Sequence, residues 1–406
     1  MAIISNNTGM GIRGRDKLQD LQPYNSVRTE IELLGWYRAI EFISKPIRMF
    51  AEEMFREGFE VKSDNKEIDN TVMEILTEID FEKKCITIEK YKMIFKNGGL
   101  MYFGFDSEIP QTDNILGLPV PDDAKLSYIN VLPAYDFQVL QGGSDPLRKT
   151  YYQPEISVGG KTLHKDRYCW LVNDYDGRAN AGLSLADALI QIGSGMDISV
   201  WSLVNMVYES QIKVFKSNPV RDGGKNIVEK LIDKIRYTMS SQSVAVIGET
   251  ESFDKMNFQA AGLDQATNFL WEVLGAISPV PANVLKGQSK RVISLSNDPD
   301  MVSFYSNVER AQEKAERAYI RKAIDFILAG LGYNNYAYEI KWSTLYILDD
   351  NTKADIALKT AQTDVQYITS GVLNPQDVMT QRFPDINTVS NNPDTDFNIP
   401  DLTEPG

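Results

Sequence analysis

One histidine, His164, is all that 406 residues contain. That scarcity restricts the commonest general base and most transition-metal sites at the outset. Cysteine is nearly as rare, with Cys85 and Cys169 standing 84 positions apart and no CxxC spacing. Neither a disulfide framework nor a zinc knuckle is expected, and the chain reads as one matured in a reducing cytoplasm. No run approaches the ~18 to 20 apolar residues of a membrane span. The opening MAIISNNTGMGIRGRDK lacks the apolar centre of a signal peptide, so no membrane partner is expected. Basic residues are also in deficit, 42 Lys+Arg against 56 Asp+Glu, for a formal net charge of −14. Proteins that grip nucleic acid by neutralising phosphates concentrate Lys and Arg instead. The deficit does not exclude a protein that lets DNA slide. What is present, 43% hydrophobic and 24% charged residues, is the composition of a folded chain able to build a sizeable core.

Catalytic and ligand motifs fail one by one. Gly182-Leu183-Ser184-Leu185-Ala186 half-resembles the G-x-S-x-G nucleophile elbow, but alanine replaces the second glycine and His164 precedes the serine. Ser184 reads more simply as a helix-opening residue. Gly223-Gly224-Lys225-Asn226 lacks the upstream glycine and the Ser/Thr of a phosphate-binding loop, leaving Lys225 as the solvated start of a helix. Asp298, Asp300 and Glu309 have the outer spacing of a calcium loop, yet Val302 and Ser303 occupy its fifth and sixth positions. The two aspartates read as helix-capping acids. His164 reads as a turn residue before the strand-like Tyr168 to Val172. The expectation is no enzyme, no metal and no cofactor.

The organisation is α+β. Residues 1–25 are polar, with Arg13, Arg15 and Lys17 as a small basic cluster, and are expected to form a flexible arm. Glu30 to Glu57 is helical by the recurrence of Leu33, Trp36, Tyr37, Ile40, Ile43 and Ile47, with Pro46 expected to kink or divide it. A second helical stretch runs over about 65–97 to the stop at Asn97-Gly98-Gly99. Strands are expected at Leu100–Phe105, Tyr128–Leu132, Phe137–Leu140, Lys149–Gln153 and Tyr168–Val172, followed by a helix from about Leu183 to Lys216. Val228, Leu231, Ile232 and Ile235 line one face of a short helix, and a β-prone piece, Ser243 to Ile247, follows. Leu270, Val273, Leu274 and Ile277 line another helix, which Ser278-Pro279-Val280-Pro281 ends.

Residues 282–298 read as a loop carrying Lys286, Lys290 and Arg291. The longest helix then runs from Pro299 to Leu331. On it Arg310, Lys314, Arg317 and Arg321 share one face, while Phe304, Val308, Ala311, Ala315 and Ala318 share another. Glu309, Glu313 and Glu316 are the acids available to pair with the basic stripe, whose simplest reading is a solvated surface.

This order of parts resembles that of tailed-bacteriophage portal proteins, the head-to-tail connectors. The segment FISKPIRMFAEEMFREGF, Phe42 to Phe59, is similar to their early helix and its glycine turn into a strand. Asp264-Gln265 opening a helix, then GAISPVPANVLKG from Gly275 to Gly287, resembles the family's helix that ends at a Val-Pro-Pro-like step; here Pro-Val-Pro replaces it. Ser296-Asn297-Asp298 and Tyr305-Ser306-Asn307 lead into the long helix as the family's tunnel loop leads into its tunnel helix. Tyr338 to Trp342 resembles the strand returning to the wing, and Ser370-Gly371 to Pro375 the turn in the C-terminal helices. The likeness covers about residues 35 to 385.

The resemblance implies a portal-like subunit with a mixed α/β wing, a helical stem, a small β clip, a long kinked tunnel helix and a short helical crown. After the arm, the parts would be a wing at 26–220, a stem helix at 221–239, a clip at 240–262 and a second stem helix at 263–279. A tunnel loop at 280–298 and a tunnel helix at 299–331 would follow. Next would come a wing strand at 332–349, crown helices at 350–387 and an acidic tail at 388–406. It also implies a homo-oligomeric ring of about twelve copies at a capsid vertex, assembled in the host cytoplasm. Double-stranded DNA would pass without sequence specificity. Partners would be the major capsid protein and scaffold, the large terminase and a head-completion adaptor. The alternatives are another head-tail adaptor of the virion or, further off, a cytoplasmic hydrolase.

Geometry supplies an independent check. Helices packed about 10 Å apart around a circle of twelve leave a bore of roughly 28 Å, and a duplex about 20 Å across fits. Twelve copies at −14 each carry a formal charge of −168, so any attraction for DNA must be local. Lys286, Lys290 and Arg291 are the expected backbone contacts. The stripe Arg310, Lys314, Arg317 and Arg321 is expected to pair between subunits with Glu309, Glu313 and Glu316.

Overall fold

The computed structural model describes residues 28–106, 116–121, 124–140, 154–175, 181–209, 212–216, 252–256, 263–287, 292–293, 299–345, 347–348, 350–375 and 378–379. The chain divides into two compact units. The first comprises Met1–Ser289 with Asp300–Leu345, the second Lys290–Pro299 with Tyr346–Gly406.

The first unit opens with α1, Glu30–Ala39, started by a capping box in which Thr29 and Glu32 satisfy each other's backbone N–H groups. The chain extends at Ile40 (φ −120, ψ 114) and turns into α2, Glu41–Phe55. The expected division at Pro46 is therefore displaced to Ile40. Pro46 lies inside α2, buried with Ile43 and Ile47. That apolar face packs against later helices, which outweighs the one backbone hydrogen bond a proline removes. The second helical stretch is likewise two helices, α3 (Lys66–Glu78) and α4 (Phe81–Ile94). They are separated at Asp80, whose left-handed φ of 51 is a conformation aspartate tolerates better than most residues.

After α4 the chain turns at Gly98, with φ +66. A Cβ there would stand 1.9 Å from the Leu171 carbonyl oxygen, so no side chain fits. Strand β2 (Gly99–Asp106) follows, central between β3 (Lys125–Pro133) and β7 (Tyr168–Leu171), both antiparallel to it. A small meander, β4 (Gln138–Leu140), β5 (Glu155–Val158) and β6 (Lys161–Thr162), stands beside them in the chain. The expected strand at 149–153 lies outside the described residues.

Helix α5, Leu185–Glu209, packs on α2 and α1. It stops short of the expected 216, because Ile212–Lys216 is a strand, β8, paired antiparallel with β9, Ser252–Met256. Ile212, Val214 and Phe215 are β-branched or aromatic, residue types that suit a strand better than a helix. Residues 217–251, with the expected short helix and the piece at 243–247, lie outside the described residues.

Helix α6, Leu263–Ile277, packs on α5, and a one-turn helix α7, Ala282–Leu285, folds back on α6. Then comes one continuous helical run: α8 (Pro299–Ala315), a π turn (Glu316–Ile320) and α9 (Arg321–Gly330). The Phe326 ring of α9 wedges edge-on against Phe103 and Phe105 of β2, with centroids 5.3 and 4.8 Å away. Gln312 of α8, 4% exposed, donates from Nε2 to the Met54 carbonyl at 2.7 Å. Strand β11, Glu339–Trp342, closes the unit by pairing antiparallel with β1, Phe59–Lys62.

In the second unit β10, Val292–Ile293, pairs in parallel with β12, Ile347–Leu348. Helix α10, Asp350–Thr369, ends in a left-handed Gly371 whose N–H bonds to the Ile368 carbonyl. The architecture is mixed helix and sheet, as expected.

Candidate functional site

The sequence singled out a loop and a helical stripe. At the loop's start, Ser278 receives the chain as α6 ends, its hydroxyl donating to the Val280 carbonyl at 2.6 Å. The carbonyl of Leu285 is held by the Lys45 ammonium of α2 at 2.7 Å, and Val280, Val284 and Leu285 are buried. Lys286 leaves this pinned base and donates to Asn268 Oδ1 of α6 at 3.1 Å. Lys290 and Arg291 lie outside the described residues. Of the apolar stripe on α6, Leu274 is buried while Ile277 is 40% exposed, and the neighbouring Phe269 is 62% exposed.

On the long helix, Arg310, Lys314 and Arg317 are exposed with Glu309 and Glu313 beside them. Arg317 pairs with Glu313 one turn back. Arg321 donates from Nε to Glu316 Oε1 at 2.9 Å across five residues, a spacing that the π turn creates. Among the described residues Arg310 and Lys314 have no acidic partner within the chain. The expected apolar face is met at Phe304, Val308 and Ala315, joined by Tyr305 and Gln312, whereas Ala318 is exposed.

The π turn was not expected from the sequence. The signal for it was a slip in the apolar phase, from Val308, Gln312 and Ala315 to Tyr319, Ile320, Ala323 and Ile324. Its surroundings are polar and tightly held. Tyr319, fully buried, donates its hydroxyl to Glu89 Oε1 at 3.1 Å. Burial, with Glu89 beside it, holds that phenol well above its ordinary pKa, so it is a donor. Trp342 Nε1 reaches Glu316 Oε2 at 3.2 Å. The Cys169 thiol, pushed up to about 11 by burial, donates to the Ala318 carbonyl at 3.2 Å. Arg321 also lies over the Tyr338 ring, 5.6 Å from its centroid. Tyr338 is raised in turn by burial and by its 2.7 Å bond to Asp325.

The residues considered for chemistry are engaged structurally. Ser184 Oγ donates to the Ile94 carbonyl at 2.5 Å and accepts from Asp187 N at 3.0 Å, the bonding of a helix cap. His164 opens a short 3-10 turn, Lys165–Arg167, as expected of a turn residue. Asp300 accepts from Asn283 Nδ2 at 2.8 Å, and Asp298 lies outside the described residues. Among the described residues no helix is long and apolar enough to cross a membrane, and no cluster of three metal-ligating side chains occurs.

The neck of an empty GTA particle, computed with C6 symmetry, contains a chain of similar fold: 13% identity, 88% of this chain and 94% of that chain covered, TM-score 0.53. A HK97 family phage portal protein from Corynebacterium diphtheriae aligns over 78% of this chain and 96% of its own at 11% identity, with TM-score 0.40. No curated protein matches the sequence. A family profile described as phage portal protein matches residues 31–366, a span that takes in both the sheet β3-β2-β7 and the whole of the long helix. The chain belongs to the phage portal protein family.

Proposed function

We propose that the chain is one subunit of a ring of about twelve copies at a single capsid vertex. The ring is the channel through which double-stranded DNA is packaged and ejected. It is also the platform for the terminase motor, the head-completion and tail proteins, and the surrounding capsid protein and scaffold. The observation that carries this reading is the family match over 31–366. In the ring, 26–220 with 332–349 serves as wing, 221–239 and 263–279 as stem, 240–262 as clip, 280–298 as tunnel loop, 299–331 as tunnel helix and 350–387 as crown.

Two physical features support it. Phe269 and Ile277 on α6 and Val200 and Val204 on α5 are large apolar groups left open on one subunit, as expected of surfaces that a second copy covers. Arg310 and Lys314, without acidic partners in their own chain among the described residues, are free to pair with Glu309 or Glu313 of a neighbour. Lys286, Lys290 and Arg291 steady the duplex by its phosphates, against a subunit whose net charge of −14 otherwise repels it. The function needs no catalytic group or cofactor. Negative-stain class averages of the purified protein test it. Closed rings of about twelve are expected, and a monomer at every salt and protein concentration would overturn it.

A further inference from the structure

We propose that the π turn Glu316–Ile320 is the phase-setting joint of the long helix: its one extra residue keeps the charged face of α8 outward. Which neighbour meets that face rests on the ring reading above, but the phase itself does not.

The argument is one of periodicity. The buried residues of α9 are Ala323, Ile324, Ile327 and Leu328. Stepping back from them at 3.6 residues per turn, an unbroken α-helix would turn inward Glu316 and Arg317, then Glu313, then Glu309 and Arg310, then Ser306. The residues that are buried stand one place earlier at each turn: Ala315, Gln312, Val308 and the pair Phe304 and Tyr305. A single residue turns a helix by about 100°. The π turn supplies that rotation, converting a sequence that would bury charges into one that buries apolar groups.

The joint is held in place on several sides. The backbone N–H of Arg321 bonds to the Glu316 carbonyl, five residues back, and the side chains of the same two residues pair at 2.9 Å. Trp342 holds the other carboxylate oxygen of Glu316, Glu89 holds Tyr319 and Cys169 holds the Ala318 carbonyl. In an unbroken helix Glu316 would face Ile320, and Arg317 would stand one turn from Arg321, a repulsive pair. The joint's side chains and the core thus favour the same wider turn.

Deleting Ala318 from the full chain tests the inference. The deletion is expected either to lower the melting temperature sharply or to rotate α8 by one residue. Glu309→Leu together with Glu313→Leu is then the discriminating pair. In the deletion it places leucine where the core now lies and is expected to restore the melting temperature. In the parent, where both positions are exposed, it is not expected to raise the melting temperature. Both backgrounds are compared under conditions that keep the subunit unassembled, because Glu309 and Glu313 also serve the pairing between neighbours. Maleimide labelling in a Cys169→Ser background, with the fully buried Cys85 left in place, reads the rotation directly. The parent labels Glu313→Cys at least tenfold faster than Gln312→Cys, and the deletion reverses that order. A deletion that melts and labels like the parent overturns the inference, as does a melting loss that the leucine pair leaves untouched. Ring formation is scored separately by class averages, so failure of the ring reading is distinguishable from failure of this one.

Discussion

Removing a single hydroxyl, Tyr319→Phe, probes the contact that ties the long helix to α4. Tyr319 is 0% exposed and Glu89 2% exposed. The phenol donates to Glu89 Oε1 at 3.1 Å, while Glu89 Oε2 accepts from Lys92 Nζ at 2.8 Å. Phenylalanine keeps the ring, so no cavity opens and the loss is that of the hydrogen bond. A bond to a charged group contributes about 1.5 to 3 kcal/mol net, and the burial of both partners places this one at about 2 to 3 kcal/mol. Urea unfolding followed by tryptophan fluorescence measures it. The protein concentration must leave the oligomeric state of parent and variant the same, because association adds its own stability. The midpoint should fall with the slope unchanged. In a Glu89→Gln background the contact is neutral, about 0.5 to 1.5 kcal/mol, so the two changes should couple by about 1 to 2 kcal/mol. A loss under about 0.5 kcal/mol, or the same loss in both backgrounds, would refute the reasoning.

Three further outcomes are expected. Ser184→Ala removes a helix cap and a buried bond to Ile94, and should cost about 1 to 3 kcal/mol by circular-dichroism melting; a variant as stable as the parent contradicts the assignment. Glu30 is raised above its ordinary value by burial, so at a pH between its unfolded and folded pKa the folded chain holds a proton that the unfolded chain has released. Its contribution is full below the unfolded pKa and lost as pH rises through the folded one, so Glu30→Gln should gain relative to the parent as pH climbs through that window. A difference independent of pH between 4 and 8, roughly the carboxylate range and above, would count against it. Replacing Lys286, Lys290 and Arg291 together by Gln should leave rings intact but shorten or loosen the packaged genome. Wild-type DNA length and retention would reject the phosphate contact.

Local chemistry determined much by sequence alone. Gly98 after α4 solves an end-of-helix problem with atoms only a few residues apart, so position in the chain suffices to read it. The length of the helix from Pro299 and the charges along it were legible for the same reason, as was the role of Ser184 as a cap. Long-range packing decided the rest. Pro46 stays helical because Ile43 and Ile47 are buried around it, and the division falls at Ile40 instead. Ile212–Lys216 becomes a strand because Ser252–Met256 pairs with it, a partner no local window contains. The direction in which the basic stripe points also depends on one residue's worth of rotation at Glu316–Ile320. That rotation is fixed by Glu89, Cys169 and Trp342, which are distant in the chain and adjacent only once the first unit has folded. Periodicity within a helix is a property of neighbours, whereas its phase relative to a core is set by whatever the core brings against it.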